Sequence, residues 1–211
     1  MRIDKLFELQ GDFFARFPDG FDDPEMVKRV KNHNVDKLAG QAQEMFDESQ
    51  FGMPEAIVKN MILMISRSSM ISMFDKPKFR DSVGAISPME REILADGLFE
   101  LLHGKKVSDK EKGFDQILEQ LVRLKLGRWS LISAIPYYYN MTENWFIKPN
   151  TTKMILKYFE MDKELVYKPR PSFEFYQDYS EFLTNLRDEC DPKLSKSNAA
   201  FTGFLMMSIN E

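Results

Sequence analysis

Between Arg123 and Arg170 nine basic side chains (Arg123, Lys125, Arg128, Lys148, Lys153, Lys157, Lys163, Lys168 and Arg170) stand against four acids (Glu143, Glu160, Asp162 and Glu164). The segment is net +5 in a chain whose total is −4, so the remainder carries −9. Trp129, Tyr137, Tyr138, Tyr139 and Trp145 are interleaved with these cations. Lysine and arginine neutralise phosphates and release counterions, and aromatic faces stack on bases. The stretch is therefore the candidate anion- or nucleic-acid-binding surface. Its candidate contacts are Arg123, Lys125, Arg128, Trp129, Tyr138, Trp145, Lys148 and Lys153. The competing and commoner arrangement puts the rings in the core and the lysines on a solvated face.

Other reactive residue types are sparse. Asp19, Asp22 and Asp23 form an acidic cluster of a kind that can hold a hard cation. They lack the spacing of a calcium loop, and Asp23-Pro24 reads better as a helix start. His33 and His103 are the only histidines. No HExxH pattern and no cysteine pair accompanies them, so no metal site is expected. Cys190 is the single cysteine and has no partner motif for nucleophilic work. Arg67, Ser68, Ser69, Lys76, Lys78, Arg80 and Asp81 make a donor-rich stretch that can take an anion. Seven of the fourteen methionines fall between Met45 and Met89, either as core filler or as an adaptable partner surface. Without a glycine-rich phosphate loop, a Walker lysine or a GxSxG elbow, neither a cofactor nor a catalytic residue is assigned.

Bulk properties set the frame. The chain has 211 residues, 43% hydrophobic and 29% charged, which suits one folded domain rather than a disordered chain. A pI near 5.4 argues against the whole molecule being a generic polyanion binder, although a local basic face remains compatible with it. A lone cysteine fits a reducing compartment. The longest apolar run, Met61 to Ile65, is far short of the roughly 20 residues of a membrane span. The first residues carry charge throughout and lack the apolar region of a signal peptide. A cytoplasmic protein without membrane contact is expected, with a nucleic acid or another protein as its partner.

The elements that must position these residues read as helices. Pro24, Pro54 and Pro88 sit at first-turn positions, and Ser87-Pro-Met-Glu90 has the capping-box pattern. Ser108-Asp-Lys-Glu111 repeats that pattern. Asn150 and Ser172 read as further caps, Gly104 as a helix end, and Lys76-Pro77 as a break before a short helix near Phe79 to Val83. Leu94, Leu98, Leu101 and Leu102 form one apolar stripe, and Phe114, Ile117, Leu118 and Leu121 another. Ile57 to Ile65 is apolar nearly all round and should lie centrally. Pro136 should kink or end the helix after Arg128. About nine helices and no period-2 strand predict an all-α, single, compact helical domain over residues 1–211. The stiff Lys168-Pro-Arg-Pro171 link marks the one place for a subdivision.

Two resemblances add to this reading. Phe17-Pro-Asp-Gly-Phe-Asp-Asp-Pro24, Phe74-Asp-Lys-Pro-Lys-Phe-Arg-Asp81, Trp129-Ser-Leu-Ile-Ser-Ala-Ile-Pro136, Phe146-Ile-Lys-Pro149 and Tyr167-Lys-Pro-Arg-Pro171 together resemble an uncharacterised bacterial family of about this length. That resemblance implies a bacterial source and one unit of conserved length, and no activity. Leu124-Lys-Leu-Gly-Arg128 followed by Ile147-Lys-Pro-Asn-Thr151 is similar in layout to the helix-hairpin-helix DNA glycosylases. In that family's pattern a catalytic aspartate falls near Lys148, so the resemblance implies a degenerate, nucleic-acid-associated relative rather than a working glycosylase. The primary expectation is a binding or interaction protein, and the nucleic-acid-associated protein is the alternative.

Overall fold

The computed structural model describes residues 2–30 and 35–209, except for the side chains of Arg29 and Val30. Every regular element among them is helical. In chain order the α-helices are α1 (Ile3–Arg16), α2 (Pro24–Val30), α3 (Val35–Met45), α4 (Pro54–Arg67), α5 (Asp75–Gly84) and α6 (Pro88–His103). They continue as α7 (Val107–Arg123), α8 (Trp129–Tyr139), α9 (Pro149–Tyr158), α10 (Phe173–Asp188) and α11 (Asn198–Ile209). Single 3-10 turns lie at Gly20–Asp22 and Glu48–Gly52.

Side chains start several of these helices as the sequence predicts. Asp23 accepts from the Glu25 amide at 2.9 Å. At α6 the Glu90 amide donates to Ser87 Oγ at 3.3 Å, and the Ser87 amide donates back to Glu90 Oε2 at 2.8 Å, closing a capping box. Ser172 Oγ accepts from the Phe175 amide at 3.4 Å. Each such cap is worth about 1 kcal/mol.

Three expected helix starts are displaced, and one expected helix end has a different physical reason. Helix α7 begins at Val107, and Asp109 rather than Glu111 reaches back, taking the Lys106 amide at 3.0 Å. Ser108 is thus inside the first turn. Asn150 likewise sits inside α9, whose cap position is Lys148. Pro77 lies within the first turn of α5 instead of ahead of it, because the first amides of a helix have no intrahelical partner to lose. Gly104 closes α6 with φ −56°, so left-handed backbone is not its reason. A Cβ there would sit 2.8 Å from Asp109 Cβ, and the bare backbone lets α7 start against the end of α6.

Packing centres on α4, whose Ile57, Val58, Met61, Met64 and Ile65 are buried against α3, α5, α6 and α8. The α6–α7 hairpin is the most extensive helix pair. It closes to backbone contact at Gly97 and Gly113, where a Cβ on Gly113 would come within 2.5 Å of Gly97 O. Helix α8 is apolar on all sides and lies within the core, with Trp129 and the run from Leu131 to Tyr138 buried. Pro136 ends it one turn later, at Tyr139. The buried apolar residues form one cluster, which includes Trp129 ahead of the Lys168–Pro171 link and Phe173 and Phe175 beyond it.

Helix α1 packs against α11 from the far end of the chain. Phe13 and Phe204 meet edge to face with centroids 5.4 Å apart, and the Asp191 amide donates to Gln10 Oε1 at 2.6 Å. Lys5 Nζ donates to Glu160 Oε1 at 2.8 Å.

Candidate anion-binding surface

Of the five rings offered as stacking faces, four are interior and Tyr139 is partly buried. Trp129, Tyr138 and Trp145 are each almost wholly buried. The indole of Trp129 donates to Lys168 O at 2.7 Å, and that of Trp145 to Thr184 Oγ1 at 3.1 Å. Tyr138 shares a buried hydrogen bond of 2.9 Å with Ser68 Oγ. A base cannot reach Trp129 or Tyr138 without unfolding α8, and Trp145 is enclosed within the connection from α8 to α9. For Trp129 and Tyr138 the sequence already carried the reason, since a helix apolar all round has no outward face for them.

The cations behave differently. All nine Lys and Arg of the segment are exposed. Arg123 pairs with Glu90 at 3.4 Å, and Arg128 pairs with Asp75. Among the described residues the other seven have no carboxylate at ion-pair distance. One of the four local acids is already engaged. Lys5, hydrogen-bonded to Glu160, and the nearby Arg2 hold that carboxyl below the usual carboxylate range.

Packing draws part of this charge together. Arg128 occupies the cap position of α8, and its neighbour Trp129 is tied to the Lys168 carbonyl. Tyr167 lies 6.4 Å from Trp129, ring to ring, and Lys153 Nζ sits 5.0 Å over the Tyr167 ring. One continuous run of contacts thus joins Arg128, Lys168 and Lys153, which lie far apart in sequence. Ser133 Oγ donates to Trp129 O at 2.7 Å and accepts from the Ile147 amide at 3.0 Å. That bridge holds the chain leading to Lys148 against α8 one turn beyond Arg128.

Lys125 adds a backbone signal. It has φ +60° and closes α7, with the Leu126 amide donating to Leu121 O at 2.7 Å and its own amide to Val122 O at 2.9 Å. This left-handed helix end normally carries glycine, and a side chain there costs about 1 kcal/mol. Helix α9 ends in the same way at Glu160, φ +59°. Glu160 is accounted for by its ion pairs with Arg2 and Lys5. Among the described residues Lys125 has no such ion pair.

The remaining sequence candidates are absorbed by structure. Asp22 takes Lys196 Nζ with both oxygens, at 2.8 and 2.7 Å, and Asp23 caps α2. Among the described residues no group of three or more His, Cys, Asp or Glu can hold a metal ion. His103 Nε2 meets Phe46 O at 2.9 Å within a cluster of Phe51, Phe99 and Tyr139, and His33 lies outside the described residues. Cys190 is buried, and burial pushes its thiol up to about 12. In the donor-rich stretch Arg67 donates to Gln41 Oε1 at 3.0 Å and Arg80 to its neighbour Asp81 at 2.8 Å. A groove of about 470 Å³ lies beside Gln43, Tyr139, Asn140, Met141, Thr142 and Ser197. Its polar groups largely bond one another, as with Gln43 Nε2 on Tyr139 O and Thr142 Oγ1 on Asn140 Oδ1.

The chain matches no protein-family profile, no curated protein and no solved structure. Among the described residues no helix is long and apolar enough to cross a membrane.

Sequence reasoning missed two residues, Asp75 and Phe74. Asp75 is buried and holds Arg128 from a helix 53 positions away. No local pattern signals that pairing. Phe74, beside it, is 73% exposed. Its place was hidden because the helix was expected to start near Phe79, whereas α5 starts at Asp75 and makes Phe74 its cap residue.

Proposed function

We propose that the chain is a binding protein whose working surface is the basic face around the start of α8, and that its ligand is the phosphate backbone of a nucleic acid. One observation carries this reading: among the described residues seven exposed Lys and Arg of the segment lack an acidic partner, and the contacts of Trp129 and Tyr167 bring two of them, Lys153 and Lys168, toward Arg128. Lys125 supports it further, because a cation is retained where the backbone favours glycine. With the Trp and Tyr rings buried, affinity rests on charge and falls steeply with salt.

The test is fluorescence anisotropy with labelled single- and double-stranded DNA and RNA at about 50 and 200 mM salt. Binding should weaken strongly over that range. Changing Lys125, Lys148 and Lys153 to Glu should abolish it while leaving the far-UV circular dichroism unchanged. Absence of binding to every nucleic acid at the lower salt refutes the reading. Arg128 is left intact in this test because it also neutralises Asp75.

A further inference from the structure

The most exposed large apolar residues of the described chain are Met73, 75% exposed, and Phe74, 73% exposed. They are adjacent and sit at the tip of the connection between α4 and α5. Phe74 holds the cap position of α5, where Ser, Thr, Asp or Asn accepts a free amide, and it makes no such bond. It therefore serves neither the helix nor the core.

The tip is nevertheless firmly held. Ser72 Oγ accepts from the Phe74 amide at 3.3 Å, and Ser72 O accepts from the amides of Asp75 and Lys76 at 3.0 and 3.2 Å. Asp75, the next residue, is clamped by Arg128. That clamp places Phe74 beside the cap of α8, at the edge of the basic face. Lys76 and Lys78 follow on α5, and Lys125 lies three residues before Arg128 in the connection from α7 to α8. An aromatic ring presented on a pinned turn among cations has the two components of a single-strand binding surface, a charged track for phosphates and a face for a base.

We infer that Phe74, flanked by Met73, is the base-stacking element of this protein, and that the preferred ligand is single-stranded nucleic acid. The inference rests on the basic-face reading above and deepens it. A single strand fits better than a duplex because its bases are already free to unstack, whereas a wedge entering a duplex must first separate paired steps. Charge complementarity with the surrounding lysines selects a polyanion over an apolar partner.

The experiment compares wild type, Phe74→Ala and Phe74→Trp against labelled oligothymidylate, a DNA duplex and vesicles containing phosphatidylserine. Phe74→Ala should weaken oligothymidylate binding about 5- to 150-fold, the usual range for losing one base–aromatic stack. The slope of log K against log salt should not change, because no charge is removed. Duplex binding should change less. Phe74→Trp should restore affinity, and its indole should be quenched on binding while the buried Trp129 and Trp145 respond little. Melting temperatures of all three proteins should coincide, since the ring is outside the core. Salt-sensitive binding that Phe74→Ala leaves within twofold overturns the stacking role while the basic face stands. No binding of wild type to any nucleic acid overturns both. Vesicle binding lost in Phe74→Ala, with oligothymidylate affinity unaffected, assigns the tip to lipid and also overturns the inference.

Discussion

The ion pair between Asp75 and Arg128 joins two helix starts, and its removal should be one of the larger single-site losses in the protein. Asp75 is 4% exposed, whereas the Arg128 side chain is 48% exposed. Arg128→Met keeps the aliphatic stem and removes the charge, leaving a buried carboxylate without its partner. Breaking a fully buried pair costs about 3–5 kcal/mol. Here the guanidinium is half open and water can partly replace it, so about 2–3 kcal/mol is expected. For a chain of this size that lowers the melting temperature by about 4–12 °C. Urea unfolding followed by circular dichroism near neutral pH measures the loss, with an unchanged m value. In the double variant Asp75→Asn/Arg128→Met the penalty should fall below the sum of the single losses by about 1–2 kcal/mol. A single variant within about 0.5 kcal/mol of wild type, the scatter of ordinary surface changes, would refute the claim that Arg128 neutralises Asp75. So would strict additivity.

Other outcomes follow from the same coordinates. Ser133→Ala removes the hydroxyl that accepts from the buried Ile147 amide at 3.0 Å, and should cost about 1–3 kcal/mol by urea unfolding. Gly113→Ala places a Cβ 2.5 Å from Gly97 O and Leu101 N, and forcing α6 and α7 apart should cost about 1–3 kcal/mol or more in the same assay. Cys190, buried and with its thiol pushed up to about 12, should react with an aryl disulfide far more slowly in the native than in the denatured protein. Equal rates would contradict its placement. The Ser87 amide, the Ser87 hydroxyl and Arg123 hold the Glu90 carboxyl below its ordinary 4.5. A depressed folded-state value means stability that is present above 4.5 and lost as pH falls through the folded value, so Glu90→Gln should flatten the acid limb of the stability profile.

What the sequence conveyed well was local. The caps at Asp23, Ser87 and Ser172 and the stripes of α6 and α7 depend only on neighbours within a few positions, and each is present. Displaced starts, as at Val107 and Pro149, shift by a residue or two because several side chains near a helix start compete for the same free amides. Reading which aromatic faces outward failed for a different reason. Composition puts Trp129, Tyr138 and Phe74 in one class, and only the way α8 is enclosed separates them. The Asp75–Arg128 pair was equally hidden, since neither residue has a local reason to find the other. The charge excess of residues 123–170 was legible because it is a sum, whereas its gathering around Trp129 and Tyr167 depends on tertiary contacts.

The contact between α1 and α11 has a consequence for the chain while it is being made. Phe13 leaves the ribosome 191 residues ahead of Phe204, the ring against which it packs. At synthesis rates of about 5–20 residues per second, that interval is roughly 10–40 s. Throughout it Phe13, buried in the finished fold, lacks the Phe204 ring that closes one side of it. Helix α1 is thus fully seated only after α11 has been made. Until then, the phenylalanine-rich α1 is a ready target for a holding chaperone.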